Sequence, residues 1–284
     1  LIKFQNIFNS IGSAAILMNS ENGEILSLIS LPDYDLNKRQ LFDDKNLINR
    51  ATKGVYELGS VFKTFTYAAG INEGVIVPDT EFKNLDKKIY CSKYLIGEYD
   101  EKIPSDLTAE QILIRSGNIG SIRIAQMLGI EKFQKFLNDL GLLNTLDFDI
   151  TEIGTPIKFK WGKCKLVTSA YGHGITTTLL QLAKGYSIIS NGGYDIKPTL
   201  MLDKNKRDIR YQRIISEDTS ATVNLALRKI VTTKEGTASF ANIDGYEVAG
   251  KTGTAQKSIA GGYSKNKINT FASIFPASNP KYVL

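Results

Sequence analysis

Three short clusters carry side chains that can do chemistry together, and the first is a serine with a lysine three residues on. Ser60 and Lys63 open a run with Phe62, Phe65 and Ala69 at helical spacing. Gly59 can take a sharp turn just before it, so Ser60 falls in the first turn of a helix. Unpaired N–H groups and the helix dipole favour negative charge there. Lys63 lies one turn on, so its amine and the Ser60 hydroxyl share a face. That is a nucleophile with a base in reach, beside a place suited to a developing oxyanion. Alone the pair is ambiguous, because Ser-x-x-Lys recurs at Ser264/Lys267 and Ser278/Lys281. A helix cap beside a solvated lysine fits the same residues.

The second cluster, Ser116-Gly117-Asn118, falls between two expected helices, where a hydroxyl and an amide can point into a cleft. Gly117 and Asn118 also suit the end of one helix and the start of the next. The third, Lys251-Thr252-Gly253-Thr254, is expected to follow a strand from Tyr246 to Gly250. Lys251 offers a fixed positive charge, and Thr252 and Thr254 offer hydroxyls suited to a carboxylate. Gly253 leaves room for a ligand backbone, and an extended peptide can add to such an edge as a further strand. The chain has one histidine, His173, flanked by glycines and with no carboxylate nearby in sequence to orient it, which suits a structural role better than that of a catalytic base.

The elements that must position these clusters read as α+β. Ser13–Met18 and Glu24–Ile29 read as a hairpin of buried strands, and Tyr246–Gly250 and Ile268–Phe275 as later strands. Thr108 with Gln111, and Thr178 with Gln181, form capping boxes before helices. The first of those helices stops at Ser116-Gly117. Two more follow over 119–128 and towards Gly141, and another opens at Ser216-Glu217-Asp218. The polar, tyrosine-bearing stretch up to Pro104 has no period and reads as a loop carrying short strands. Strands at both ends with helices between imply a helical region inserted into a sheet-bearing domain.

Composition is that of an ordinary globular protein, 42% hydrophobic and 23% charged, with a mild net charge of +6. The densest basic run, Lys204 to Arg213, reads as solvated surface and lacks the repeated aromatic interleaving of a nucleic-acid groove, so none is expected. One histidine excludes a multi-histidine metal site, and neither metal nor organic cofactor is expected. Cys91 and Cys164 lack metal-ligand and Cys-x-x-Cys spacing; they could pair in an oxidising compartment, but sequence does not show whether they lie close enough to do so. No apolar run is long enough to cross a bilayer and no signal peptide is present. The chain begins at Leu1 and ends as a strand starts, at Pro280–Leu284, so it is read as a piece of a longer protein.

The three clusters in this order match the Ser-x-x-Lys, Ser-x-Asn and Lys-Thr-Gly elements of serine acyltransferases that react with penicillin. The chain resembles the transpeptidase domain of a class B penicillin-binding protein over nearly its whole length. Leu31-Pro32-Asp33-Tyr34-Asp35, Asn49-Arg50-Ala51, Gln181-Leu182-Ala183 and Gly250 to Gln256 all fit, and Tyr56-Glu57 with Tyr171-Gly172-His173-Gly174 resembles the division-specific, septal branch. Leu58, Leu179 and Gly117 depart from that pattern, in which proline and serine or aspartate are commoner.

The resemblance implies an antiparallel sheet with flanking helices, one transpeptidase domain over 1–284 with a helical subdomain over roughly 71–190. It also implies a missing membrane anchor, N-terminal pedestal and C-terminal end. Ser60 would form an acyl-enzyme with a D-alanyl-D-alanine stem peptide, with Lys63 as base and Ser116 as proton relay. Asn118 would hold the substrate amide, and Lys251, Thr252, Gly253 and Thr254 the terminal carboxylate. The N–H groups of Ser60 and Thr254 would form the oxyanion hole. The implied partners are peptidoglycan stem peptides, β-lactams and division-complex membrane proteins including a glycosyltransferase, at the outer side of a bacterial cytoplasmic membrane. A serine β-lactamase, with Asp149 or Glu152 as a deacylating base, a D-alanyl-D-alanine carboxypeptidase, and a non-catalytic β-lactam sensor or divisome scaffold stand as alternatives.

Overall fold

A computed structural model describes the chain except residues 36, 39–46, 203–211 and 260–261. Most of the basic run Lys204 to Arg213 therefore lies outside the described residues. A short helix α1 (Ile2–Ile7) precedes the expected hairpin, strands β1 (Ser13–Asn19) and β2 (Ile25–Leu31). The two are antiparallel, with Ile16 opposite Leu28. Their turn uses Gly23 at φ 79°, a conformation a side chain would strain.

A 3₁₀ turn, Gly59–Phe62, runs straight into α2 (Lys63–Asn72). The stretch read as a loop with short strands carries β3 (Glu81–Phe82), the hairpin β4 (Lys88–Cys91) and β5 (Tyr94–Gly97), and β6 (Leu107–Thr108), which pairs with β3. Helices α3 (Ala109–Ile114), α4 (Asn118–Leu128) and α5 (Ile130–Asp139) follow, then α6 (Lys163–Ser169), which the sequence did not signal. Helix α7 (Leu179–Ser190) and helix α8 (Glu217–Thr232) complete the set, and both expected capping boxes are formed.

The sheet closes with β7 (Ala249–Ile259), β8 (Gly262–Phe275) and β9 (Tyr282–Val283), in the order β2-β1-β9-β8-β7 with every pair antiparallel. The strand expected over Tyr246–Gly250 instead starts at Ala249, so the Lys-Thr-Gly cluster lies inside a strand rather than after one. Helices α7 and α8 pack on the sheet, and α2 lies against α8 and α4. Mixed helix and antiparallel sheet is the expected α+β class.

The fold answers what the sequence left open for the cysteines: Cys91 and Cys164 form a disulfide, with Cα atoms 5.5 Å apart. The fold brings the β4 end beside the start of α6, a proximity that residues so far apart in sequence cannot reveal.

Candidate active site

The Ser60 turn is fixed from three sides by packing that begins in its own sequence. Phe62 and Phe65 meet edge to face at 5.4 Å, and Phe65 meets Tyr186 of α7 in the same way at 5.4 Å. The buried Tyr186 hydroxyl donates to Val61 O at 3.0 Å and lies 2.8 Å from Thr64 Oγ1. Thr66 Oγ1 donates to Ala170 O at 2.7 Å, and Tyr56 exchanges backbone hydrogen bonds with Thr177, so the 170–177 segment is strapped to the turn. Gly59 is at φ 63°, and a Cβ there would lie 2.5 Å from Thr254 O. A Cβ at Gly172 would lie 2.0 Å from Gly59 O. These bare positions let the third cluster's strand and the Tyr-Gly-His-Gly loop close on the serine.

Ser116 is the residue on which the other groups converge. Helix α3 ends in a Schellman arrangement: Ser116 N–H donates to Leu113 O at 3.1 Å and Gly117 N–H to Ile112 O at 2.9 Å. The left-handed residue of that motif is Ser116, at φ 60°, and not Gly117, which is extended at φ −66°. A non-glycine residue there is strained and is held by its surroundings. Lys63 Nζ donates to Ser116 O at 2.5 Å and to Ser116 Oγ at 3.2 Å, while Lys251 Nζ donates to Ser116 Oγ at 2.8 Å and to Thr252 O at 3.0 Å.

Both amines are buried, Lys63 at 2% and Lys251 at 0% exposure. Burial brings the Lys63 pKa from 10.5 down to about 7, against a smaller upward pull from Glu98. Burial, with the charge of Lys63 next to it, pushes Lys251 well down. Two ammonium groups sharing one hydroxyl in a dry site oppose each other's charge, so an amine able to accept a proton is present near neutral pH. Ser60 is half-buried, and among the described residues its hydroxyl has no hydrogen-bond partner.

The remaining expected residues sit as follows. Asn118 starts α4 and gives its side-chain N–H to Gly97 O at 2.8 Å. Along β7 the alternation of a strand buries Lys251 and Gly253 on one face and leaves Thr252 and Thr254 on the more open one. Gly253 is bare for packing: a Cβ would meet Leu58 O at 2.4 Å, so its open side faces the Ser60 turn rather than a ligand. Thr252 Oγ1 lies 2.9 Å from Thr237 Oγ1, and Thr254 Oγ1 donates to Asn269 Oδ1 at 3.2 Å. Strand β7 is the last of its sheet, so its outer edge has no partner strand among the described residues.

His173 does have a carboxylate, from a distance the sequence did not suggest. Glu57, 6% exposed, has Oε2 3.4 Å from His173 Nδ1 and accepts the Gly174 N–H at 2.9 Å and the Tyr263 hydroxyl at 3.0 Å. The imidazole is stacked between Tyr171 and Tyr263, and burial, helped by Lys165, holds its pKa below the ordinary value. His173 makes its contacts with this cluster and none of them is with Ser60. Asp149 is engaged with Thr199 Oγ1 and the Leu200 N–H, and Glu152 with the Asn49 N–H. Among the described residues no group of three or more His, Cys, Asp and Glu side chains could hold a metal ion, and no helix is long and apolar enough to cross a membrane.

The family model of the penicillin binding protein transpeptidase domain matches residues 13–284. The chain is 30% identical over 280 residues to a probable peptidoglycan D,D-transpeptidase FtsI of Caulobacter vibrioides, covering 96% of this chain and 47% of that protein. It is 30% identical over 275 residues to a probable peptidoglycan D,D-transpeptidase PenA of Neisseria flavescens, covering 95% of this chain and 67% of the relative. The chain thus spans about half of the first relative's length and two thirds of the second's. Among solved structures, the transpeptidase domain of Burkholderia pseudomallei penicillin-binding protein 3 superposes with a TM-score of 0.88 at 25% identity, covering 100% of this chain and 81% of that one. Penicillin-binding protein 3 of Mycobacterium tuberculosis in complex with aztreonam gives 0.87 at 26% identity, covering 98% and 66%.

Proposed function

Since the chain belongs to the family of penicillin-binding protein transpeptidase domains, we propose that it is a serine D,D-transpeptidase that cross-links peptidoglycan stem peptides and is acylated by β-lactams. The observation that carries this reading is the convergence of two buried lysine amines on the single hydroxyl of Ser116, beside Ser60, whose oxygen has no hydrogen-bond partner among the described residues. Ser60 Oγ attacks the carbonyl between the two terminal D-alanines and its proton passes to the neutral Lys63 amine. The C–N bond then breaks, and Ser116 hands a proton to the departing D-alanine amine, recovering one from Lys63. An amine of a neighbouring stem attacks the resulting ester, losing its proton to the same lysine, which passes it to Ser60 Oγ as the ester C–O bond breaks, so that Ser60 and neutral Lys63 are both restored.

The N–H groups of Ser60 and Thr254 form the oxyanion hole in this reading, supported by the close approach of Gly59 to Thr254. Lys251, Thr252 and Thr254 receive the substrate carboxylate, and the open edge of β7 takes the substrate backbone. Asn118 holds the substrate amide through its remaining polar atoms. The chain is one transpeptidase domain, with its helical part over roughly 71–190. The disulfide fits a domain working outside the cytoplasm, because such bonds persist in oxidising compartments. Septal wall synthesis, in company with other division proteins of the membrane, is the assignment that the FtsI relatives favour. The engagement of Asp149 and Glu152 elsewhere removes the support for a β-lactamase.

The deciding experiment is intact-mass spectrometry with penicillin, sampled from seconds to hours, beside Ser60→Ala and Lys63→Ala. A single long-lived adduct lost in both variants is expected. Rapid antibiotic turnover without a lasting adduct, or an adduct that persists in Ser60→Ala, would sink the proposal.

A further inference from the structure

Helix α4 begins without a cap of its own, because Gly117 at its N-cap has no side chain to accept a hydrogen bond. The first N–H groups are nevertheless met. Glu98 Oε2 accepts the Asn118 N–H at 2.6 Å, and Glu98 Oε1 accepts the Ile119 N–H at 2.9 Å. The carboxylate lies where the helix dipole favours it, and its two bonds are charge-assisted. Nothing crowds the arrangement: a Cβ at Gly117 would stand 3.7 Å from Glu98 Oε1.

Glu98 is itself held. It follows β5, and its own N–H donates to Lys87 O at 3.2 Å across the hairpin. The preceding Gly97 accepts the Asn118 side-chain N–H at 2.8 Å. The hairpin is tied by Cys91–Cys164 to α6, and α6 packs on α4. Ser116 is therefore fixed from both sides, by the Schellman bonds at the end of α3 and by Glu98 at the start of α4.

We propose that Glu98 is a positioning residue for acylation: its carboxylate stands in for the cap that Gly117 lacks and so keeps Ser116 and Asn118 in register with Lys63 and Lys251. This inference rests on the acyl transfer proposed above. It has a second effect. The ionisable neighbours of the Lys63 amine are Lys251 on β7 and Glu98, and the Glu98 charge favours the protonated amine against its burial.

The test uses Glu98→Gln, which keeps the shape, removes the charge and turns an amide NH₂ toward one of the two helix N–H groups. Hydrogen exchange across 115–121 and the pH dependence of acylation by a fluorescent penicillin are read on the same samples. Exchange at Asn118 and Ile119 is expected to speed up about tenfold, and the plateau acylation rate to fall about tenfold or more. The acid limb of the profile is expected to move to lower pH, a change that a purely structural role would not produce. Adding Gly117→Ser, which supplies a side-chain cap, is expected to restore the exchange protection and much of the plateau but not the position of the limb. Unchanged exchange, or an unchanged plateau and limb, would overturn the proposal. If the unmutated protein forms no adduct, the reaction itself is wrong, and the exchange data still decide whether Glu98 caps α4.

Discussion

Replacing Lys63 by methionine is expected to abolish acylation and to stabilise the protein, most of all in acid. Lys63 is 2% exposed, and its pKa falls from 10.5 to about 7 on folding. Each pKa unit corresponds to about 1.4 kcal/mol. Keeping this amine protonated inside the fold at pH 6 therefore costs about 4 to 5 kcal/mol. A depressed lysine pKa means that the unfolded chain binds the proton more readily between the two values. The penalty is complete below pH 7 and fades as the pH rises towards 10.5. At pH 9 about 2 kcal/mol of it is left. Methionine has similar length and no charge, but it forfeits the hydrogen bonds to Ser116, worth about 1 to 2 kcal/mol at any pH. A net gain of about 3 kcal/mol at pH 6 and almost none at pH 9 follows. Urea unfolding of both proteins at the two pH values measures it, and the pH-dependent part is untouched by the lost hydrogen bonds. A stability difference that is the same at pH 6 and pH 9 would refute the reasoning, because the amine would then not change its proton affinity on folding.

Three further outcomes are expected. Removing the disulfide as Cys91→Ser with Cys164→Ser frees a loop of 73 residues' separation, which on chain entropy costs about 4 kcal/mol and lowers the melting temperature by about 8 °C; calorimetry with no shift would contradict it. Gly59→Ala forces a side chain into φ 63° and against Thr254 O, so penicillin acylation should be lost and stability should fall by about 2 kcal/mol or more, whereas normal acylation would mean that β7 can retreat. His173→Ala should keep acylation; complete loss with an unchanged circular dichroism spectrum would make the imidazole part of the chemistry.

Much of this arrangement is legible where the signal is local. The two capping boxes, the first hairpin and the ends of α3, α4 and α5 follow from residues three or four apart, and the structure has them where they are expected. The β7–β8 hairpin was legible only in its apolar parts. Gln256, Lys257 and Ser258 carry no alternation, because that end of the hairpin is exposed on both faces. Gly117 does mark the end of one helix and the start of the next, as its type suggests, but the left-handed residue of that helix end is Ser116. The partners of Glu57, Glu98 and Tyr186, and the pairing of Cys91 with Cys164, were not readable because each lies well away along the chain. A carboxylate in a polar stretch looks solvated until the fold shows which helix start it meets.

The outer edge of β7, where a substrate backbone is proposed to lie, is a row of backbone groups with no strand beside it among the described residues. The same row is available to any other extended chain, including the β7 of a second molecule. Occupancy of the site and colloidal behaviour are then coupled: protein carrying a ligand along this edge should tolerate concentration and storage better than empty protein. A purification that leaves the site vacant would lose material to self-association in proportion to the square of its concentration.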